Sequence, residues 1–214
     1  YDNKKLDKDI LEKTSGVKLT TVSGKGSKNK LIHADNLSTL KTLLDDYAGK
    51  VDLIYIDPPF ATNGHFKISE ERANTISSSN NDAVAYSDIL VGADFLEFLR
   101  ERLIFLRELL SDRGSIYLHI DYKIGHYVKL IMDEVFGRDM FRNDIARVKC
   151  NPKNFYRKAY GNIKDLILFY SKSTTPIWND LRIPFSEEDK GRLFKKIDKD
   201  GRRYTTIPLH APGE

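Results

Sequence analysis

Short apolar segments alternate with amphipathic segments of helical length along most of this chain, and this alternation limits its possible folds more than any other feature. Short apolar runs suit buried strands, and apolar residues three and four apart suit the helices between them. The predicted strands span residues 31–34, 51–56, 115–120, 145–149 and 166–170, and the predicted helices span 37–47, 88–110 and 123–136. Strands that alternate with helices favour an α/β fold, with a sheet that helices cover on both faces.

Other stretches depart from this alternation. Residues 2–13 predict a short amphipathic helix, and residues 61–87 predict a long polar loop, which in a compact domain is usually functional or disordered. From Pro176 the chain is basic and irregular, with a charged helix predicted at 186–196 and a turn at 198–201. We therefore expect three parts: an N-terminal helix and loop over 1–30, an α/β core over 31–175, and a basic region over 176–214.

Composition narrows the class of protein. The chain has 214 residues, of which 40% are hydrophobic and 11% aromatic, enough for a sizeable buried core. It contains no apolar run of the roughly 18 residues that a membrane span requires, and no apolar segment follows the charged N-terminal residues as in a secretion signal. The single cysteine, Cys150, allows no intramolecular disulfide. The sequence therefore predicts a folded, cytoplasmic protein without a membrane partner.

The net charge of +4 hides an uneven distribution. Residues 1–137 hold 18 basic and 21 acidic side chains, whereas residues 138–214 hold 17 basic and 10 acidic ones. A basic end of this kind suits a polyanion such as DNA, or it is an ordinary solvated face. The candidate phosphate contacts are basic residues interleaved with aromatic ones: Lys149, Lys153, Arg157, Lys158, Lys195, Lys196, Arg202 and Arg203.

The tetrapeptide Asp57-Pro58-Pro59-Phe60 directly follows the predicted strand 51–56. Ligands of open α/β sheets bind beyond the carboxyl ends of the strands, and two prolines make the backbone there rigid and extended. A carboxylate and a main-chain carbonyl are then held side by side as acceptors, next to an aromatic ring. Such a group suits a planar amine on an aromatic ring, because the acceptors take its two N–H donors and Phe60 stacks on the ring. A purely structural turn is the alternative interpretation.

With this tetrapeptide the sequence resembles the amino-methylating DNA methyltransferases, whose signature is [DNS]-P-P-[YFW] at a strand end. Asp35-Asn36-Leu37 resembles the G-D-N-L element that precedes the signature in the family's β-type order, with Ala34 in place of the glycine. Further resemblances follow in the family's order at 95–121, 135–137, 165–172 and 208–214, the last of them similar to methylation subunits of type III restriction systems.

The resemblance implies a Rossmann-like methyltransferase fold that uses S-adenosylmethionine as its cofactor. It also implies transfer of a methyl group to the exocyclic N6 amine of an adenine in double-stranded DNA, after the base has left the duplex. The candidate catalytic residues are Asp57, Pro58, Pro59 and Phe60, where Asp57 and the Pro58 carbonyl accept from the amine and Phe60 stacks on the base. Asp35 is expected to face the cofactor, and Asn36 either joins it or caps the following helix. A restriction subunit or a second methyltransferase subunit is a possible partner.

One element of the family has no counterpart in this sequence. Members carry a cofactor loop of the form F-x-G-x-G after the target-recognition region, and Gly24-Lys25-Gly26 lacks its aromatic residue and its spacing. We therefore expect a partial methyltransferase fold, which ends at the start of a target-recognition region. We also expect poor cofactor binding by these 214 residues alone.

Two further functions stay open at this point. A non-catalytic DNA-binding or specificity subunit with a degenerate methyltransferase fold would account for the missing loop. Methylation of cytosine N4, or of an amine in RNA or protein, would use the same pair of acceptors. Among the other polar residues, Asp121 is expected to cap a helix. No metal site is expected, because the histidines and Cys150 show no ligand spacing.

Overall fold

The structure, a computed structural model, describes residues 1, 4–24, 26–58, 92–149, 158, 160–180, 182 and 184–206, and the backbone alone of 65–68 and 83–87. Contacts divide the chain into two units, Tyr1–Ile177 and Trp178–Glu214. Cys150 and the predicted site residues Pro59, Phe60, Lys153 and Arg157 lie outside the described residues.

The first unit contains most of the regular structure. Its helices are α1 (Asp7–Lys13), α2 (Asn36–Tyr47), α3 (Ala93–Leu109) and α4 (Gly125–Phe136), followed by a 3₁₀ turn at Arg138–Met140. Its strands are β1 (Val51–Ile56), β2 (His65–Ile68), β3 (Ala83–Ser87), β4 (Leu110–Ile120), β5 (Phe141–Val148) and β6 (Lys164–Ser171).

Four of these strands form a mixed sheet with the order β1-β4-β6-β5. Strands β1 and β4 run parallel, whereas β6 is antiparallel to both of its neighbours, β4 and β5. The carboxyl ends of β1, β4 and β5 therefore lie at the same edge of the sheet as the amino end of β6. This edge is where an open α/β sheet binds its ligands.

One face of the sheet forms the core together with the helices. Alternate residues of three strands supply this face, and they are almost completely buried: Ile54, Ile116, Leu118, Ile120, Leu166, Leu168 and Tyr170. The apolar stripe of α3 belongs to the same core, as its helical spacing predicts, with Phe95, Leu99 and Leu103 all buried. The predicted α/β fold is therefore confirmed in its sheet and its main helices.

The opposite face of the sheet is only partly covered. Tyr117 stacks on Phe169 there, with ring centroids 4.4 Å apart and planes 9° apart. On β1, however, Leu53 is 64% exposed and Tyr55 is 57% exposed. In the part of the chain that the structure describes, the prediction of a sheet covered on both faces is therefore wrong at β1.

Some individual elements also differ from their predictions. Residues 31–34 pair with no strand within the described part of the chain, and Leu31 is fully exposed. Residues 61–87 are not all loop, because β2 and β3 pair as antiparallel strands within them. Strand β4 begins at Leu110, where it pairs with Val51, and not at Ser115.

The early start of β4 depends on a glycine. The sequence Asp112-Arg113-Gly114 suggests the end of a helix, but Gly114 lies inside β4 next to a shift in the pairing with β1. A Cβ atom at this position would lie 2.7 Å from the backbone oxygen of Val51. Close approach of the two strands therefore requires a residue without a side chain.

The second unit contains helix α5 (Glu187–Leu193) and a two-stranded ribbon of β7 (Lys196–Ile197) and β8 (Arg203–Tyr204). Ser186 caps α5 by accepting from the backbone N–H of Asp189, at 3.1 Å. The predicted turn at 198–201 joins the two strands, with the N–H of Asp198 donating to the oxygen of Arg202. Within the described residues of the whole chain, none of the helices is both long and apolar enough to pass through a lipid bilayer.

Candidate active site

The residues that follow β1 line a cavity of about 450 Å³. Asp57 and Pro58 stand directly after Ile56, at the carboxyl end of the strand, as the sequence predicts. The cavity is also lined by residues of α2 and α3, by the last residues of β1 and by the segment before α2: Ile32, Asn36, Thr39, Leu40, Tyr55, Ile56, Phe98, Leu99, Arg102 and Leu106. The cavity thus brings together Asn36, a predicted cofactor-binding residue, and Asp57 and Pro58, which are predicted catalytic residues.

Asp35 and Asn36 have different local roles. Asp35 is the N-cap of α2, and its Oδ1 accepts from the backbone N–H of Ser38 at 2.9 Å. This hydrogen bond holds the pKa of Asp35 below its ordinary value. Asn36 is the first residue of the helix and lines the cavity, which Asp35 does not. The capping role that the sequence left open for Asn36 therefore belongs to Asp35.

Arg102 on α3 holds the side chain of Asn36. Its Nε donates to Asn36 Oδ1 at 2.7 Å, and its Nη1 donates to the backbone oxygen of Phe98. The guanidinium lies over the Phe98 ring, 3.4 Å from the ring centroid. With its oxygen engaged in this way, Asn36 presents an amide N–H₂ group as its remaining polar function. Sequence reasoning missed Arg102, although the spacing of Phe98 and Arg102, four residues apart on one helix face, was an available signal.

A row of charged and polar side chains crosses the sheet at the same edge. We call it the polar row, and it consists of Asp57 after β1, His119 on β4, Asp165 on β6, and Arg147 and Lys149 at the end of β5. His119 Nδ1 lies 3.0 Å from Asp57 Oδ1, and His119 Nε2 lies 3.4 Å from Asp165 Oδ2. Asp165 also pairs with Lys149 at 2.5 Å and with Arg147 at 3.4 Å.

The polar row changes in exposure along its length. Asp165 is 1% exposed and His119 is 6% exposed, whereas the Asp57 side chain is 56% exposed.

No three His, Cys, Asp or Glu side chains in the described part of the chain meet as metal ligands would. Asp121, which follows β4, accepts from the N–H groups of Lys123 and Ile124 in the turn before α4, but the N-cap of α4 is Ile124, so the prediction that Asp121 caps a helix is wrong.

The predicted DNA contacts are divided between the two units. In the first unit Lys149 is paired with the buried Asp165, and Lys158 is exposed. In the second unit the predicted residues all lie on or beside the β7–β8 ribbon and are all exposed: Lys195, Lys196, Arg202 and Arg203. Their contacts are weak ones at the surface, such as Lys196 Nζ with Thr206 Oγ1 at 3.0 Å.

A larger cavity, of about 650 Å³, lies elsewhere in the first unit. It is lined by residues of α3, α4 and the N-terminal segment, among them Lys4, Leu96, Tyr127, Leu130 and Glu134. None of the residues predicted for catalysis or cofactor binding lines it. The smaller cavity at the end of β1 is therefore the candidate active site.

Comparison with known proteins agrees with this position. The profile of the N6_N4_Mtase family, described as DNA methylase, matches residues 51–208, which include Asp57 and Pro58. The chain belongs to this family of DNA methylases. The predicted resemblance to the amino-methylating DNA methyltransferases is thereby confirmed, together with the Rossmann-like fold class.

Individual relatives of this methylase chain are longer than the chain itself. The type II methyltransferase M.EcaI of Enterobacter cloacae is 37% identical over 98% of this chain and 45% of its own length. The Mod subunit of the type III restriction-modification enzyme StyLTI of Salmonella typhimurium is 32% identical over 78% of this chain and 29% of its own length. The chain thus spans less than half the length of these relatives.

This methylase chain also matches solved structures at lower sequence identity. The complex of M1.HpyAVI with SAM is 18% identical, has a TM-score of 0.44, and is matched over 72% of this chain and 60% of its own chain.

Proposed function

We propose that this chain is the part of an adenine-specific DNA methyltransferase that holds the target amine. The observation that supports this proposal most directly is the position of Asp57 and Pro58, which line the cavity at the carboxyl end of β1 together with Asn36. A carboxylate and a neighbouring main-chain carbonyl form a pair of acceptors, and a primary amine on a base carries the two matching donors. Because the chain belongs to the DNA methylase family, the reaction that we assign to this pair of acceptors is methylation of the bound amine.

In this proposal Asp57 and the Pro58 carbonyl accept hydrogen bonds from the N6 amine of a flipped adenine. The two acceptors orient the amine nitrogen so that its lone pair faces the carbon that it attacks, and they stabilise the positive charge that grows on nitrogen as the bond forms. Phe60 stacks on the base, a contact that contributes about 1–3 kcal/mol in proteins that bind single-stranded nucleic acids. Pro59 keeps the backbone of the tetrapeptide extended.

The residues at the cavity also fit the proposed cofactor, S-adenosylmethionine. The cavity combines apolar walls from Leu40 and Leu99 with an aromatic ring at Tyr55 and the amide of Asn36, a mixture typical of sites for small organic cofactors. When bound, S-adenosylmethionine supplies an electrophilic methyl group. Asn36 is the described residue best placed to bind it, and Asp35 supports Asn36 by capping α2.

The proposed macromolecular partner is double-stranded DNA, which the exposed basic residues of the second unit would contact through phosphates. A restriction subunit is a further proposed partner, because one relative is the Mod subunit of a type III restriction-modification enzyme. Methylation of genomic DNA would place the protein in the cytoplasm, as the sequence predicts.

Methyl transfer tests this proposal directly. The intact gene product that contains this chain is incubated with DNA and radiolabelled S-adenosylmethionine, and the methylated nucleosides are identified after digestion. We expect N6-methyladenosine from the wild type and a loss of about 10²–10³-fold in kcat for Asp57→Ala, similar to the loss of an oriented polar group in other active sites. Asp57→Asn retains one acceptor oxygen, so we expect it to lose less activity.

The matched control is Asp45→Ala, which removes an exposed carboxylate from α2 away from the cavity and is expected to leave kcat unchanged. Equal activity of the wild type and Asp57→Ala would refute the assigned role of Asp57. DNA binding without methylation would instead identify a non-catalytic specificity subunit.

Methylation of cytosine N4 is the second candidate function. The matched family profile is named for both N6 and N4 methylation, and the amine of cytosine carries the same two donors as that of adenine. The same digestion distinguishes the two, because N4-methylcytosine in place of N6-methyladenosine would select the second candidate.

A further inference from the structure

The polar row contains a residue that the proposed mechanism does not yet use, His119. In the parallel pairing of β1 with β4, Ile56 lies opposite Leu118, so the next residues, Asp57 and His119, are neighbours on the same face. Ile167 of β6 lies opposite His119, and Asp165 lies two residues before Ile167 on the same face of the sheet. The sheet itself therefore places Asp57, His119 and Asp165 in one line.

The chemistry of the contacts sets the direction of the hydrogen bond to Asp57. An ionised carboxylate can only accept, so the ring N–H at Nδ1 of His119 donates to Asp57 Oδ1 across 3.0 Å. This contact engages one oxygen of Asp57 and leaves Oδ2 as the oxygen offered to an incoming amine. The ring thus selects which part of the carboxylate faces the cavity.

The ring is itself held in place by burial. His119 is 6% exposed, and Asp165, which faces its other nitrogen at 3.4 Å, is 1% exposed. Asp165 pairs in turn with Lys149 and Arg147, which balance its charge from the neighbouring strand β5. Because the ring proton is on Nδ1, Nε2 and the facing Asp165 oxygen are both acceptors and form no hydrogen bond with each other, so it is the burial of His119 on β4 that restrains the ring behind Asp57.

We infer that His119 is a positioning residue for Asp57. The inference rests on the proposed function, because it assigns His119 the task of presenting the Asp57 carboxylate to the target amine. Asp57 is 56% exposed at its side chain and is attached to the sheet by only one strand, so without His119 it would sample several rotamers. The hydrogen bond from His119 removes that freedom before the substrate arrives.

The alternative is a histidine that only fills space in the core of the sheet. The two interpretations differ in what a replacement must preserve. A space-filling role requires volume at position 119, whereas a positioning role requires an N–H donor at the place of Nδ1. The amide nitrogen of asparagine lies close to the place of Nδ1, and that of glutamine lies close to the place of Nε2, so this pair of amides separates the two roles.

The test measures kcat, KM and the melting temperature of His119→Asn, His119→Gln and His119→Ala in the intact gene product. We expect His119→Gln and His119→Ala to lose about 10²-fold in kcat, the scale of a misplaced catalytic group, with KM for DNA and cofactor nearly unchanged. His119→Asn should recover to within several-fold of the wild type. In the Asp57→Ala background, His119→Ala should cause no further loss, because it acts through Asp57. His126→Ala, an exposed histidine on α4, is the control and should match the wild type.

Other results would contradict either the proposed function or the role assigned to His119. A wild type without methyl transfer overturns the proposed function and this inference together. An active wild type with kcat unchanged in His119→Gln and His119→Ala overturns the inference alone. Equal loss in His119→Asn and His119→Gln, or full additivity with Asp57→Ala, assigns His119 a structural role and also overturns it. If His119→Ala fails to fold, the two amide variants decide, and failure of both to fold likewise means a structural role.

Discussion

At the start of α2 a single carboxylate, that of Asp35, satisfies a backbone N–H group that has no partner within the helix. The hydrogen bond from Ser38 lowers the pKa of Asp35 below its ordinary value of 3.8, so the charged form favours the folded state. This stabilisation is complete above the ordinary value and is lost as the pH falls through the lower, folded-state value. We expect the melting temperature of the wild type to fall more steeply below about pH 4 than that of Asp35→Asn, which keeps a capping oxygen but does not titrate.

The comparison of variants at neutral pH completes this prediction. Asp35→Ala removes the cap and should lower the free energy of unfolding by about 0.5–2 kcal/mol, whereas Asp35→Asn should have little effect. Parallel melting curves of the wild type and Asp35→Asn across the acidic range would show that Asp35 does not contribute to the pH dependence.

Residues at the site differ in how far the sequence reveals them. Asp57 and Pro58 could be predicted because a strand pattern ends directly before them, and that pattern is local. His119 could not, because it lies within the apolar strand pattern of β4, and its partner Asp57 is 62 residues away. Its position becomes informative only when the pairing of β1 with β4 is known. Asn36 and Asp35 could be found as a pair, but which of them caps the helix depends on where α2 begins.

Among the elements, α1 is attached to the core by a buried arginine of α3. Arg100 is 3% exposed and donates to the backbone oxygen of Lys5 at 3.0 Å, to Glu134 on α4 at 2.8 Å and to Asp7 on α1. We expect Arg100→Met to lower the free energy of unfolding by about 1–3 kcal/mol, because Asp7, Glu97 and Glu134 lose their buried partner. Hydrogen exchange should show faster exchange at the backbone N–H of Ile10, the buried residue of α1.

Two variants support the interpretation of that result. Arg138→Met removes an exposed arginine after α4 and should leave both the stability and the exchange of Ile10 unchanged. Arg100→Lys keeps the charge but not the planar fork that reaches several partners at once, so we expect an intermediate loss. Unchanged protection of Ile10 in Arg100→Met would mean that apolar packing alone holds α1.

The elements that the sequence predicts best are those with long patterns. Helix α3 could be predicted because its apolar stripe repeats over several turns, and β1 because its apolar run is followed by two prolines. Residues 31–34 fit a strand by composition alone, and a pattern of this length cannot distinguish a strand from extended chain. The first residues of β4 could not be predicted, because Gly114 and its charged neighbours resemble the end of a helix. The pairing of Leu110 with Val51, which places these residues in the strand, is a long-range contact.

For the molecule as a whole, the basic excess after residue 137 predicts how DNA binding depends on salt. Each phosphate contact contributes about 0.9 to the slope of log K against log salt concentration. Replacement of Lys196, Arg202 and Arg203 by alanine should therefore make the slope shallower by up to about 2.7, with little change in sequence preference. Fluorescence anisotropy with a labelled duplex over a range of salt concentrations measures this slope.

The control for the salt experiment removes charge from the other end of the chain. Lys8 and Lys13 are exposed on α1 and pair with acidic residues of the same helix. Their joint replacement by alanine should leave the slope unchanged. A slope that also stays the same in the Lys196, Arg202 and Arg203 variant would identify an ordinary solvated face.

The antiparallel strand β6 also affects the order of events during folding. Because β6 lies between β4 and β5, the sheet is complete only when a strand more than forty residues beyond β4 has inserted next to it. Contacts so distant in sequence form late, since they require the closure of long loops. The polar row joins residues of all four strands, so it cannot exist in a partly assembled sheet. An NMR signal from the His119 ring would therefore report when all four strands of the sheet have assembled.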